Sequence, residues 1–255
     1  MTPAASDLVL PVAMAVAAGL VGTMTVMRRM TLASDAISHV ALPGIGIALL
    51  LQVNPVLGGL VALFLGAFLV WVLEGRTRLP TETVIGVVFS AALAIGSMLA
   101  SGEELLEALF GTTQAPGTVE TLLGLGSAAL VIGFLVIAES RLLITLVSPD
   151  LARTSGVKVA RVNLLFLLAF ALTVALGLRF LGVLLMGSLI IIPAATAKHV
   201  ATSYGSMKAV AVGIAAVATL LGAILSPGLG LAAGPLTIAI AAGIFGLSLL
   251  SRRPA

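Results

Sequence analysis

Nine apolar runs of about 17–22 residues recur along the chain, each long enough to cross about 30 Å of hydrocarbon. They lie at roughly 7–27, 32–52, 55–73, 83–101, 119–138, 162–179, 181–198, 208–225 and 232–250. In lipid a backbone must satisfy its own hydrogen bonds, and runs of this length do so as helices. The expected fold is therefore all-α: a polytopic transmembrane helix bundle of about nine spans forming one domain over 1–255. Ten spans, or eight with a re-entrant segment, are the alternatives.

Composition agrees. Of 255 residues, 60% are hydrophobic and only 9% charged, which suits no soluble domain of this size. With no cysteine, disulfides, thiol catalysis and thiolate metal sites are excluded. The net charge of +3 comes from basic residues scattered along loops, so nucleic acid is not an expected partner. The first twenty residues lack a basic leader and read as a retained helix rather than a cleaved signal. Placing the N-terminus outside puts 12 of the 13 Lys and Arg residues in the cytosol or at its edge, leaving only Arg179 outside. The C-terminus is then cytosolic. Asp7, Glu103, Glu104, Glu107 and Glu120 fall outside, giving an acidic outer face or an ordinary solvated loop.

One acid lies within an expected span. In SDAISHVALPG, Asp35 and His39 are four apart and share a helix face. Counted from Arg29 at 1.5 Å per residue, Asp35 lies about 9 Å and His39 about 15 Å along the span, which brings His39 near the bilayer centre. Pro43, Gly44 and Gly46 follow, so a helix interruption is expected beside the pair, as is tolerated where backbone lines a cavity or protein interior. A carboxylate and an imidazole on one face can hold a divalent metal, and metal binding there weakens as His39 protonates. The alternative is a buried His–Asp hydrogen bond that only packs helices. His199, beside Lys198, reads as an interfacial residue rather than a ligand. Pro193 implies a kink in the seventh span.

The longest cytosolic connection, SPDLARTSGVKVAR, reads as one short helix. Ser148 can cap it, Pro149 suits its first turn, Asp150 complements the positive helix end and Gly156 can end it. It either docks against a partner or rests on headgroups. None of the three lysines completes a G-x-x-x-x-G-K-[ST] loop, and no G-x-S-x-G or H-E-x-x-H string occurs. Any active transport must draw on an ion gradient or on another polypeptide.

Three stretches, RRMTLASDAISHVALPGIGIALLL, FLGVLLMGSLIIIPAATAKHV and LSPGLGLAAGPLTIAIAAGIFGLSLL, resemble the membrane permease of bacterial zinc/manganese ABC importers, and the likeness runs over nearly the whole chain. The middle loop is similar to that family's cytosolic coupling segment.

The resemblance implies a multi-pass protein of the bacterial inner membrane that is not itself an enzyme and holds no permanent cofactor. Its cargo would be a divalent transition metal: zinc, manganese or iron. Two copies would form the pathway, two cytosolic ATP-binding subunits would supply ATP hydrolysis, and an extracytoplasmic solute-binding protein would deliver the metal. Asp35 and His39 match the family's metal-coordinating pair. Coupling to the ATPase would fall on Asp150, Leu151, Ala152 and Gly156. Two rivals stand beside this reading: a proton-coupled secondary metal transporter, and an ABC permease for metal-chelate ligands.

Overall fold

A computed structural model describes residues 5–77, 79–99, 117–178 and 181–250. Every regular element among them is a helix. In chain order these are α1 (Ala5–Met27), α2 (Thr31–His39), α3 (Ala41–Leu50), α4 (Pro55–Arg76), α5 (Thr81–Leu99), α6 (Thr118–Ile137), α7 (Glu139–Val147), α8 (Pro149–Thr154), α9 (Val159–Leu178), α10 (Gly182–Val200), α11 (Tyr204–Leu229) and α12 (Ala233–Ser248). Glu103, Glu104, Glu107, Arg78, Arg179, Arg252 and Arg253 lie outside the described residues.

Six of these helices are long and apolar enough to cross a membrane: α1, α4, α5, α6, α9 and α11. That makes the chain a multi-pass membrane protein, but helix length alone does not carry the expected count of nine. The other three expected spans coincide with shorter apolar stretches at Asp35–Leu50, Leu185–Val200 and Ala233–Ser248. The last, as a straight 16-residue helix, covers only about 24 Å.

Helix α1 is the centre of the bundle, with 67% of its most apolar window buried against 17% for α6. It packs on α6, α10 and α11, and α9 joins α4 to this group. Met14, Val21, Leu63, Phe166, Met186 and Leu189 are wholly buried in one continuous core. Close backbone approach holds the layers together, as expected where lipid gives helices no hydrophobic reason to associate. Gly22 lies against the Ile190 carbonyl, so a Cβ there would collide with it.

The second expected span has a one-residue interruption at Val40, whose torsions stay in the right-handed helical region (φ −63°, ψ −18°). Helix α2 stops at His39 and α3 starts at Ala41. Pro43 explains the position: it has no N–H to give the carbonyl four residues back, and its ring crowds that carbonyl, which belongs to His39. Val40 closes the gap with a tighter bond from its N–H to the Ile37 carbonyl, 3.0 Å.

Helix α7 lies outside the expected spans, its nine residues falling between the fifth and the sixth. It is a short amphipathic helix burying Leu142 and Thr145, and Glu139 at its start accepts from Lys208 of α11 at 2.6 Å. The ammonium also lies 5.0 Å from the Tyr204 ring centre.

Candidate metal site and its connections

Asp35 and His39 occupy the last five residues of α2, immediately before the break. His39 Nδ1 lies 2.9 Å from the Asp35 carbonyl oxygen. A carbonyl can only accept, so Nδ1 carries the proton and donates; in the neutral ring the Nε2 lone pair is then left for a metal. Phe89, near the middle of α5, meets the imidazole edge-on at 5.5 Å between ring centres. His39 is half-buried and Asp35 is exposed.

Four glycines on three neighbouring helices let the backbone close around this segment. A Cβ on Gly187 of α10 would lie 3.0 Å from Asp35 Cα and 3.3 Å from its Oδ1. A Cβ on Gly66 of α4 would collide with the Val40 side chain, and one on Gly96 of α5 would come within 2.9 Å of Leu42 Cβ. Gly58 of α4 and Gly44 of α3 each face the other's carbonyl oxygen. Nothing in the sequence separates Gly187, Gly66, Gly96 and Gly58 from the other 24 of the 28.

Among the described residues there is no group of three or more His, Asp or Glu side chains able to share an ion. His199 is half-buried in the last turn of α10, and its Nε2 is enclosed without a hydrogen-bond partner.

Helix α8 has the local chemistry of a small, well-stopped helix. The Ser148 hydroxyl accepts from the Leu151 N–H (3.2 Å), Pro149 opens the first turn, and Gly156 ends the motif at φ +80°. The Val157 N–H returns to the Ala152 carbonyl, 2.9 Å. Asp150 and Arg153 pair at 2.8 Å on its exposed side. Ala152 is buried while Leu151 is 54% exposed, so α8 presents a leucine outward on a fixed base.

Beside α8 lies a cavity of about 320 Å³ whose walls include Arg28, Glu74, Thr81, Pro149 and Asn163. Arg28 is mostly buried. Its Nη1 donates to Asn163 Oδ1 (3.1 Å) and its guanidinium lies 4.4 Å from the Phe166 ring centre. Burial lowers its pKa to about 10, opposed by the Glu74 carboxylate, so it stays charged at neutral pH. Its Nε and Nη2 are buried with no partner. A second cavity, about 660 Å³, opens between Trp71, Arg76, Arg153 and Lys158, and the Trp71 indole N–H donates to the Ala160 carbonyl there (2.8 Å). A third cavity, about 350 Å³ and largely apolar, lies at the opposite end, lined by Leu10, Asn54, Leu57, Glu120 and Leu176 among others.

A helical membrane bundle with a broken span carrying an acid and an imidazole has the build of a membrane transport protein. The chain belongs to the ABC 3 transport family, which it matches over residues 4–252. It is 34% identical over 238 residues to the high-affinity zinc uptake system membrane protein ZnuB of Haemophilus influenzae, covering 91% of this chain and 90% of the relative. The manganese import system permease protein ScaB of Streptococcus parasanguinis is 30% identical over 245 residues, covering 94% and 88%. Among solved structures, PsaBC from Streptococcus pneumoniae in complex with Fab superposes with a TM-score of 0.82 at 29% identity, covering 96% of this chain and 90% of that one.

Proposed function

We propose that this chain is the permease subunit of an ATP-driven importer of a divalent transition metal, zinc or manganese first and iron within the same chemistry. The observation that carries the reading is the Asp35–His39 pair at the break of the second span, with its imidazole oriented by the Asp35 carbonyl and Nε2 left for the cargo. An exposed carboxylate within a span is costly against lipid, so it faces a pathway or a second copy. Two copies about a two-fold axis supply two carboxylates and two imidazoles, a set suited to these ions without thiolates. The permease does no bond chemistry.

We read the three shorter apolar stretches as further spans beside the six long helices, about nine within one domain. Arg28, Arg29, Arg76, Arg153 and Lys158 line cavities at the α8 end of the bundle, whereas Glu120 lines the cavity at the other. By the positive-inside rule the α8 end is cytosolic, with the N-terminus outside, the C-terminus inside and the bilayer a bacterial inner membrane. Helix α8, through Asp150, Leu151, Ala152 and Gly156, is the coupling element for the cytosolic ATP-binding subunits. The extracytoplasmic solute-binding protein delivers metal at the opposite face.

The test is uptake of zinc and manganese into proteoliposomes holding the permease with its ATPase and binding protein. Uptake that requires ATP and disappears in Asp35→Ala and His39→Ala, with assembly intact, is the expected result. Uptake driven by a proton gradient without the ATPase overturns the importer reading, and normal uptake by both variants overturns the site.

A further inference from the structure

The mostly buried Arg28 lies between the start of α9 and the helix that carries Asp35 and His39, and it lines the same cavity as Pro149 of α8. It sits in the elbow between α1 and α2, three residues before Thr31 and seven before Asp35. That elbow is stiff: Arg29 holds a left-handed φ of 60°, and the Met30 N–H returns to the Thr25 carbonyl at 3.0 Å. Across from it, Asn163 and Phe166 belong to the first turns of α9, and only four residues, 155–158, separate α9 from α8. Those four are held by the Gly156 turn and the Val157–Ala152 bond. Displacement of α8 therefore reaches Asn163 and Phe166 with little slack, and Arg28 is what they hold.

The arrangement is also incomplete. A guanidinium offers a planar fork matched to a carboxylate, yet Nε and Nη2 are enclosed without partners. The nearby Glu74 instead accepts the Thr81 hydroxyl at 2.9 Å. Both charged groups line the cavity that Pro149, the first residue of α8, also lines. Leaving buried donors unmade is unfavourable, and the cavity gives room for the missing pair to form when its walls move. We infer that Arg28 is a positioning residue that passes the displacement of α8 to α2, with an Arg28–Glu74 ion pair closed in one transport state and open in the state seen here. The inference rests on the importer reading and adds to it a residue that touches neither metal nor nucleotide.

The test uses the whole transporter, with ATPase and binding protein, in proteoliposomes, and measures metal transported per ATP hydrolysed. In Arg28→Gln and Glu74→Gln that ratio falls about tenfold, within the range of coupling energies between distant sites. The metal KM stays near the wild-type value, which a general loosening of the fold would not preserve. The double variant is no worse than either single one, because both remove the same pair. Arg28→Lys keeps the charge without the fork and falls between wild type and Arg28→Gln, and it keeps the test alive if the glutamine variant does not assemble. An unchanged ratio in Arg28→Lys and Glu74→Gln overturns the inference while leaving the importer reading intact. Wild-type uptake that ignores ATP overturns the importer reading itself.

Discussion

Two helical segments beside the candidate site carry a proline, and they respond differently. In the second expected span the helical hydrogen-bond pattern is interrupted at Val40, three residues before Pro43, though Val40 itself keeps helical torsions, whereas α10 runs unbroken from Gly182 to Val200 with Pro193 inside it. Each proline removes one backbone donor, so the missing bond alone does not decide the outcome. The surroundings differ. At the break, glycines of α4, α5 and α10 let neighbouring backbone close on residues 35–44, and Val40 finds a shorter-range partner. In α10, Leu189 and Ile190 on one side of the proline and Ala194 on the other are fully buried in packed core. A proline weakens a span; the neighbours choose whether it opens.

The largest expected effect tests that clamp directly. Gly58→Ala places a Cβ on the Gly44 carbonyl oxygen, and the two backbones must separate at a cost near the upper end of overpacking, about 3 kcal/mol. Thermal melts in detergent should show a large loss of folded protein; a wild-type melt removes the clamp from the explanation. Next comes Gly187→Ala, whose Cβ presses on Asp35 Cα. It should assemble yet lose about tenfold in metal affinity, the scale of changes just outside a metal's ligands, as read by metal titration of the purified protein. Undiminished affinity would show that Asp35 is not positioned by α10.

Pro43→Ala gives the His39 carbonyl its donor back. Thermal stability should rise by at most about 3 kcal/mol while uptake falls. Pro193→Ala should change uptake less, and equal losses would erase the distinction drawn between the two spans. The smallest effect is expected at Gly133 of α6, where an added Cβ meets nothing within 4 Å. Gly133→Ala should leave uptake at the wild-type level and raise stability by about 1 kcal/mol or less.

Much of this architecture is legible in the sequence, for physical reasons. A run of apolar residues reports its own length and solvent, so the positions of the helices follow from it. The placement of His39 one turn after Asp35 follows from the period of one helix, and the interruption beside it from Pro43. The caps of α8 follow from Ser148, Pro149 and Gly156, each acting on backbone a few residues away. What the sequence does not show depends on faces meeting across the bundle. Gly187, Gly66 and Gly96 look like every other glycine until the helices are placed. Arg28 reads as a loop cation, and only the fold brings Asn163 and Phe166 to it. Helix α7 was within reach, because Leu142 and Leu146 lie one turn apart, but nine residues between longer apolar runs gave it no separate signal. The number of spans is likewise not legible from apolar runs alone, since only six of the nine expected spans are single helices long and apolar enough to cross a membrane.

The bond from His39 to the Asp35 carbonyl divides the labour within the proposed site. This bond to its own helix favours one orientation of the imidazole, with Nε2 turned away from the Asp35 carbonyl. Among the described residues nothing fastens the Asp35 carboxylate, and its torsions remain free to follow the ion. In the proposed site, differences in ionic radius would then be taken up on the oxygen side, with the imidazole nitrogen as the better-oriented ligand.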